Sequence, residues 1–150
     1  MSRRIVVSVA AGVVVLGGAG AFALAYAGDQ SPALAHNTAR YTAPAGDRDG
    51  SLTFTTDVTA SSDVKSVKVV AWRANSEFAK KGLTAKDMAG AESAVCKSSG
   101  GDVERCTYKV PVTRADAEDS PKGLWHVAVL VTAKDGDTTL DTKAADFTVA

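Results

Sequence analysis

Two cysteines, Cys96 and Cys106, and two histidines, His36 and His126, are all the thiol and imidazole chemistry in this 150-residue chain. Between the cysteines lies Lys97-Ser98-Ser99-Gly100-Gly101-Asp102-Val103-Glu104-Arg105. The central Gly-Gly is a turn signal, and two strands folded back over it bring the cysteines within disulfide range. A metal site would need further Cys or His close in sequence, and a redox pair is expected at C-x-x-C spacing. The pair therefore reads as a structural staple, and so short a ring contributes roughly 2–3 kcal/mol in the chain-entropy view. His126, beside Trp125 but on the opposite strand face, would need a nucleophile or carboxylate in reach to act as a general base, and no G-x-S-x-G elbow is present. The acidic stretch Asp135-Gly136-Asp137-Thr138-Thr139-Leu140-Asp141 invites a calcium reading. Its sixth position is Leu140, where a calcium loop needs glycine for its sharp turn, so a hairpin turn on Asp135-Gly136 is expected instead. No residue is assigned to catalysis, a cofactor or a metal, and the chain is read as not an enzyme. Lys97 and Arg105 remain, on a loop closed by the cysteines and hence pre-organised for binding.

The segments that must position these residues are mostly strands. Leu52, Phe54 and Val58 alternate with Thr53, Thr55, Asp57 and Thr59, a period of two. Val64 to Trp72 follows the turn Ala60-Ser61-Ser62-Asp63. Cys106, Tyr108, Val110 and Val112 form a third stripe, which Pro111 marks as a sheet edge at that point. Trp125, Val127, Val129, Val131 and Ala133 form the clearest stripe, and a last strand ends in Phe147 and Val149. Two capping patterns, Thr84-Ala85-Lys86-Asp87 and Thr113-Arg114-Ala115-Asp116, predict short inserted helices. Ala128 and Leu130 make the second face of their strand apolar. The segment Ala74 to Ser93 is expected to cover it through Phe78, Leu83 and Met88. The pattern predicts an all-β, immunoglobulin-like antiparallel sandwich over residues 50–150. Residues 28–49 form a lead-in in which Ala39-Arg40-Tyr41-Thr42 is a candidate edge strand.

The N-terminus sets the compartment. Arg3 and Arg4 precede an apolar run from Ile5 to Leu24, and Ala25-Tyr26-Ala27 has the small-x-small form of a cleavage site. Residues 1–27 are read as a signal peptide cut after Ala27, with Ala21-Phe22-Ala23 a second candidate site. An uncleaved run of twenty residues is long enough to anchor a membrane ectodomain, the alternative reading. Export suits a disulfide. Seventeen basic residues balance seventeen acidic ones, which gives no electrostatic case for nucleic acid. The expected function is a secreted, non-catalytic binding module for an extracellular protein or cell-wall polymer. A second hypothesis is a small protease inhibitor that presents Lys97 or Arg105 on the loop 96–106.

Two stretches carry a resemblance. Leu52 to Ala60 followed by Ser62 to Val70 resembles the early strands of bacterial immunoglobulin-like domains. Gly123 to Gly136, with Phe147-Thr148-Val149, resembles their last two strands. Residues 34–150 behind a leader look like an actinobacterial family of secreted domains of unknown function. The resemblance implies fold and compartment, and no activity. Antibody-type domains bridge their two sheets by a disulfide beside a buried tryptophan. Here Trp72 falls on the corresponding strand, but Cys96 and Cys106 are not placed to make that bridge.

Overall fold

The computed structural model describes residues 13–15 and 31–150. Apart from Val13–Val15, the expected signal peptide and its expected cleavage positions Ala25 and Ala27 lie outside the described residues. Among the described residues no helix is long and apolar enough to cross a membrane.

Among the described residues, nine strands and two short helices follow in the order β1 (Val13–Val15), β2 (Ala33–Thr42), β3 (Gly50–Thr59), β4 (Val64–Arg73), α1 (Phe78–Lys81), β5 (Glu92–Ser93), β6 (Val95–Gly100), β7 (Val103–Val112), α2 (Arg114–Asp119), β8 (Gly123–Ala133) and β9 (Thr138–Val149). They form two antiparallel sheets. The first has the order β1-β2-β3-β7-β6 and the second β5-β4-β8-β9. The architecture is thus an all-β sandwich. The strand expected over 39–42 is longer than its sequence signal and begins at Ala33, because a bulge between Ala35 and Thr38 interrupts its alternation. Residues 33–42 therefore belong to the sandwich. β1 lies along the outer edge of β2, and cleavage after Ala27 would leave β2 as that edge.

Period-two alternation decides what faces inward. Leu52, Phe54 and Val58 of β3, with Cys106, Tyr108 and Val112 of β7, meet Val67, Val69, Trp125, Val127, Val129, Val131, Phe147 and Val149 of the second sheet in one core. Phe147 stacks between Tyr41 at 5.8 Å and Trp125 at 6.0 Å, which joins the two layers through aromatic contact. The tryptophan of this core is Trp125. Trp72, one register position from the inward row of β4, packs outward instead, beneath the insertion.

The insertion does cover the outer face of the second sheet. Leu83 and Met88 are buried with Trp72 and Ala128, and Phe78, Val70, Leu130 and Leu140 pack around them. Its secondary structure differs from the sequence expectation. Thr84 and Asp87 make the reciprocal capping contacts, Thr84 N–H donating to Asp87 Oδ2 at 2.8 Å. Only successive three-residue-spaced turns follow, ending at Gly90, and the helical turn forms earlier, at α1. So short a segment does not repay helix nucleation by itself, and packing of Leu83 and Met88 decides its shape. The second pattern does form its helix: Thr113 caps α2 with a complete capping box through Asp116. Pro111 lies where expected. β6 pairs β7 only from Val103 to Thr107, so β7 has no partner on that side at Pro111.

Gly50 is sterically required where β3 begins, since a β-carbon there would lie 2.0 Å from the Thr42 carbonyl oxygen. Tyr41 is a different case. Its ring is fully buried, and among the described residues its hydroxyl is the buried polar side-chain group without a hydrogen-bond partner. Burial also pushes its ionisation far above that of an ordinary phenol. An unpaired buried hydroxyl is a cost rather than a contribution. Tyr41→Phe is therefore expected to leave stability unchanged or raise it by up to about 1 kcal/mol. Thermal melting of the two proteins checks this. A melting temperature lowered by several degrees would mean that the hydroxyl is satisfied.

Candidate functional site

The covered face of the second sheet leaves the outer face of the first as the broad open surface of the sandwich. At one edge of this surface lies the β6–β7 hairpin. Gly100 and Gly101, both at positive φ (114° and 58°), make the turn that the Gly-Gly pair signalled. The ladder sets Cys96 opposite Cys106, and the two are joined in a disulfide. Both cysteines belong to one sheet, so the bond staples a sheet edge rather than bridging the layers. The chain reaches that edge from the second sheet within one residue, Ala94, whose N–H donates to Val67 O at 2.8 Å. Tyr108 O–H donates to Glu92 at 2.8 Å, which ties β7 to the crossing point. Burial, then this bond, raises the ionisation of that phenol.

Beside the staple lies an open groove of about 700 Å³, lined by Val95, Lys97, Ser98, Ser99, Arg105, Thr107 and Lys109. Val95 is 64% exposed, an unusual position for a valine on a strand. Lys97 and Arg105 are cross-strand partners within the ladder, and the protruding turn is Gly100–Asp102. Neither cation therefore stands at the tip of a projecting loop. Arg105 is committed further: its guanidinium forks onto Asp57, with Nε 2.8 Å from Oδ1 and Nη2 3.2 Å from Oδ2.

Asp57 is the hub that the sequence did not disclose. The bulge in β2 holds His36 at φ 57°, and its ring Nδ1 reaches 3.0 Å from Asp57 Oδ2. The same bulge turns Asn37 inward, where it accepts a hydrogen bond from Thr56 at 2.5 Å. His36, Asp57 and Arg105 thus meet from three strands. Period two had already set Asp57 on the outer face of β3. Its partners depend on the pairing register of β3 with β2 and β7, and no local signal carries that.

The Arg105 hydrogen bond, and secondarily His36, hold the Asp57 carboxyl below the usual carboxylate range despite some burial. Because the folded state lowers this ionisation, its contribution to stability is present above pH 4 and lost as the pH falls further. Arg105 is largely solvent-exposed, so solvent screening keeps the effect small. Asp57→Asn is expected to melt lower than the wild type at pH 6, with the difference shrinking as the pH is taken below 4. Parallel melting curves across that range would contradict the assignment.

The other chemistry-bearing residues lie elsewhere. His126 is almost covered on the outer face of the second sheet. Its Nδ1 is 2.6 Å from Asp146, and its ring centroid is 4.7 Å from that of Trp72. A held and covered imidazole of this kind fits a structural role. In the β8–β9 turn, Asp135 accepts from the Asp137 N–H at 2.9 Å, and Gly136 takes φ 98°. The acidic stretch is thus a hairpin turn, and among the described residues no group of three or more Asp, Glu, His or Cys is placed to hold a metal.

No curated protein matches the chain. Residues 34–131, more than half of it, match the model of a family described only as of unknown function, and the chain therefore belongs to that family, DUF5707.

Proposed function

We propose that the protein is a secreted, non-catalytic binding module that meets its partner with the outer face of the first sheet. The carrying observation is the groove beside the Cys96–Cys106 staple, in which Lys97, Lys109 and the exposed Val95 flank Ser98, Ser99 and Thr107. A disulfide-held edge loses little freedom on binding, so its contacts convert more fully into affinity. The opposite sheet face is spent on internal packing. The disulfide supports an oxidising, extracellular setting, and the apolar run before Ala25-Tyr26-Ala27 supports export. Two antiparallel layers of domain size support kinship with immunoglobulin-like modules. The partner class is a wall polymer or an extracellular protein.

Amide shift mapping tests the surface. Titration of the labelled protein with solubilised wall fragments, and separately with secreted proteins, is expected to move the β6–β7 amides around Lys97, Arg105 and Thr107. No response to either, or shifts confined to β9 and the insertion, would overturn the assignment.

A further inference from the structure

The register of the first sheet arranges its outward side chains in rows that cross the strands. Arg40, Thr53 and Lys109 form one row, since Arg40 pairs with Thr53 and Thr53 with Lys109. The next row is Thr38, Thr55, Thr107 and Val95. Asp57, Arg105 and Lys97 form the third, with His36 reaching Asp57 from the bulge. Strands lie about 4.8 Å apart and residues rise about 3.4 Å along them, so the two cationic rows stand about 14 Å apart with a hydroxyl row between.

Charge on this face is lopsided in a chain that is balanced overall. Four permanent cations, Arg40, Lys97, Arg105 and Lys109, share these rows with one carboxylate, Asp57, already engaged by Arg105. Two of the threonines, Thr38 and Thr55, hydrogen-bond each other with their hydroxyls 2.7 Å apart, but each oxygen retains capacity for a further partner. The rows extend across four strands and meet at the open groove beside β6, not in a closed pocket.

We infer that this face binds a linear acidic polysaccharide, whose carboxylates meet the cationic rows and whose ring hydroxyls meet the threonine row. The inference rests on the outer face being the contact surface. The extent of the rows across four strands favours a chain over a small ligand, alternation of cations and hydroxyls favours a glycan over a bare polyanion, and charge complementarity selects an acidic one.

The experiment uses the purified full chain and three probes: polygalacturonate, neutral dextran and inorganic polyphosphate. Calorimetry is expected to show salt-sensitive binding of polygalacturonate, none of dextran, and weaker binding of polyphosphate. Arg40→Gln with Lys109→Gln, both exposed and outside the Asp57 cluster, is expected to weaken polygalacturonate binding about tenfold. Thr55→Val with Thr107→Val is expected to weaken polygalacturonate and leave polyphosphate unchanged. Circular dichroism confirms that each variant is folded. Failure to bind polygalacturonate, or indifference to both double variants, would overturn the inference. Equal loss of both polymers in the threonine variant would overturn it as well. Wall fragments still shifting the β6–β7 amides after such a failure would show that the contact surface stands and the ligand class does not.

Discussion

Replacement of Phe147 by alanine is expected to cost about 3–5 kcal/mol, the range for a fully buried aromatic ring. Phe147 is 0% exposed and lies between Tyr41 of the first sheet and Trp125 of the second. Its removal opens a cavity at the one place, among the described residues, where aromatic rings join the layers. Strands on either side are held by their own ladders and cannot close over it, so relaxation recovers little of the loss. Against a typical domain stability of about 5–15 kcal/mol, this is a large fraction. A fall in melting temperature of roughly 10–20 °C is the expected reading. Phe147→Leu keeps most of the volume and should lose much less. Chemical denaturation of both variants checks the order, and a Phe147→Ala protein as stable as the wild type would show that the sheets are not joined there.

Met88→Asp is expected to have a comparable effect through a different cause. Met88 is 0% exposed under the insertion, against Trp72, Leu83 and Ala128. Among these apolar neighbours a carboxylate has no partner, so either it is buried unpaired or the insertion opens to hydrate it. Both outcomes cost about 3 kcal/mol or more. Opening would uncover Val70, Leu130 and Leu140, and hydrogen exchange should rise across residues 74–91 before it rises in β8. Leu83→Asp, nearer the rim, should do the same more weakly. The groove beside the staple lies on the other sheet. Under mild conditions the Met88→Asp protein should therefore keep its binding behaviour while it loses thermal stability. A melting temperature unchanged by Met88→Asp would mean that the insertion does not act as a cover.

The two variants separate the two layers of the molecule. Phe147 reports on the core shared by both sheets, whereas Met88 reports on a second, smaller cluster that serves one sheet alone. Covering that face is what leaves the first sheet as the broad surface on which a partner can act.

Much of this arrangement was legible in the amino-acid order. Alternation in 52–59 and 125–133, the Gly100-Gly101 turn, the Asp135-Gly136 turn and the Cys96–Cys106 pairing are local, and each depends on residues a few positions apart. The cover over Ala128 and Leu130 was also readable, because an apolar second strand face must be buried by something. The irregular start of β2 was not, since its bulge breaks the period on which recognition rests. Trp125 was readable as part of the inward stripe of β8, and Trp72 or Val70 as joining Ala128 and Leu130 on the other face, where both pack.

Local periodicity by itself thus determined the strands, their inward faces, the turns and the staple. Only the tertiary structure decided which outward residues are neighbours. Asp57, His36 and Arg105 are distant in sequence and meet solely through the register of β2, β3 and β7. The rows of cations and hydroxyls arise in the same way. Register is a collective outcome of burying several strands at once, and a shift of one residue would turn each outward row into the core.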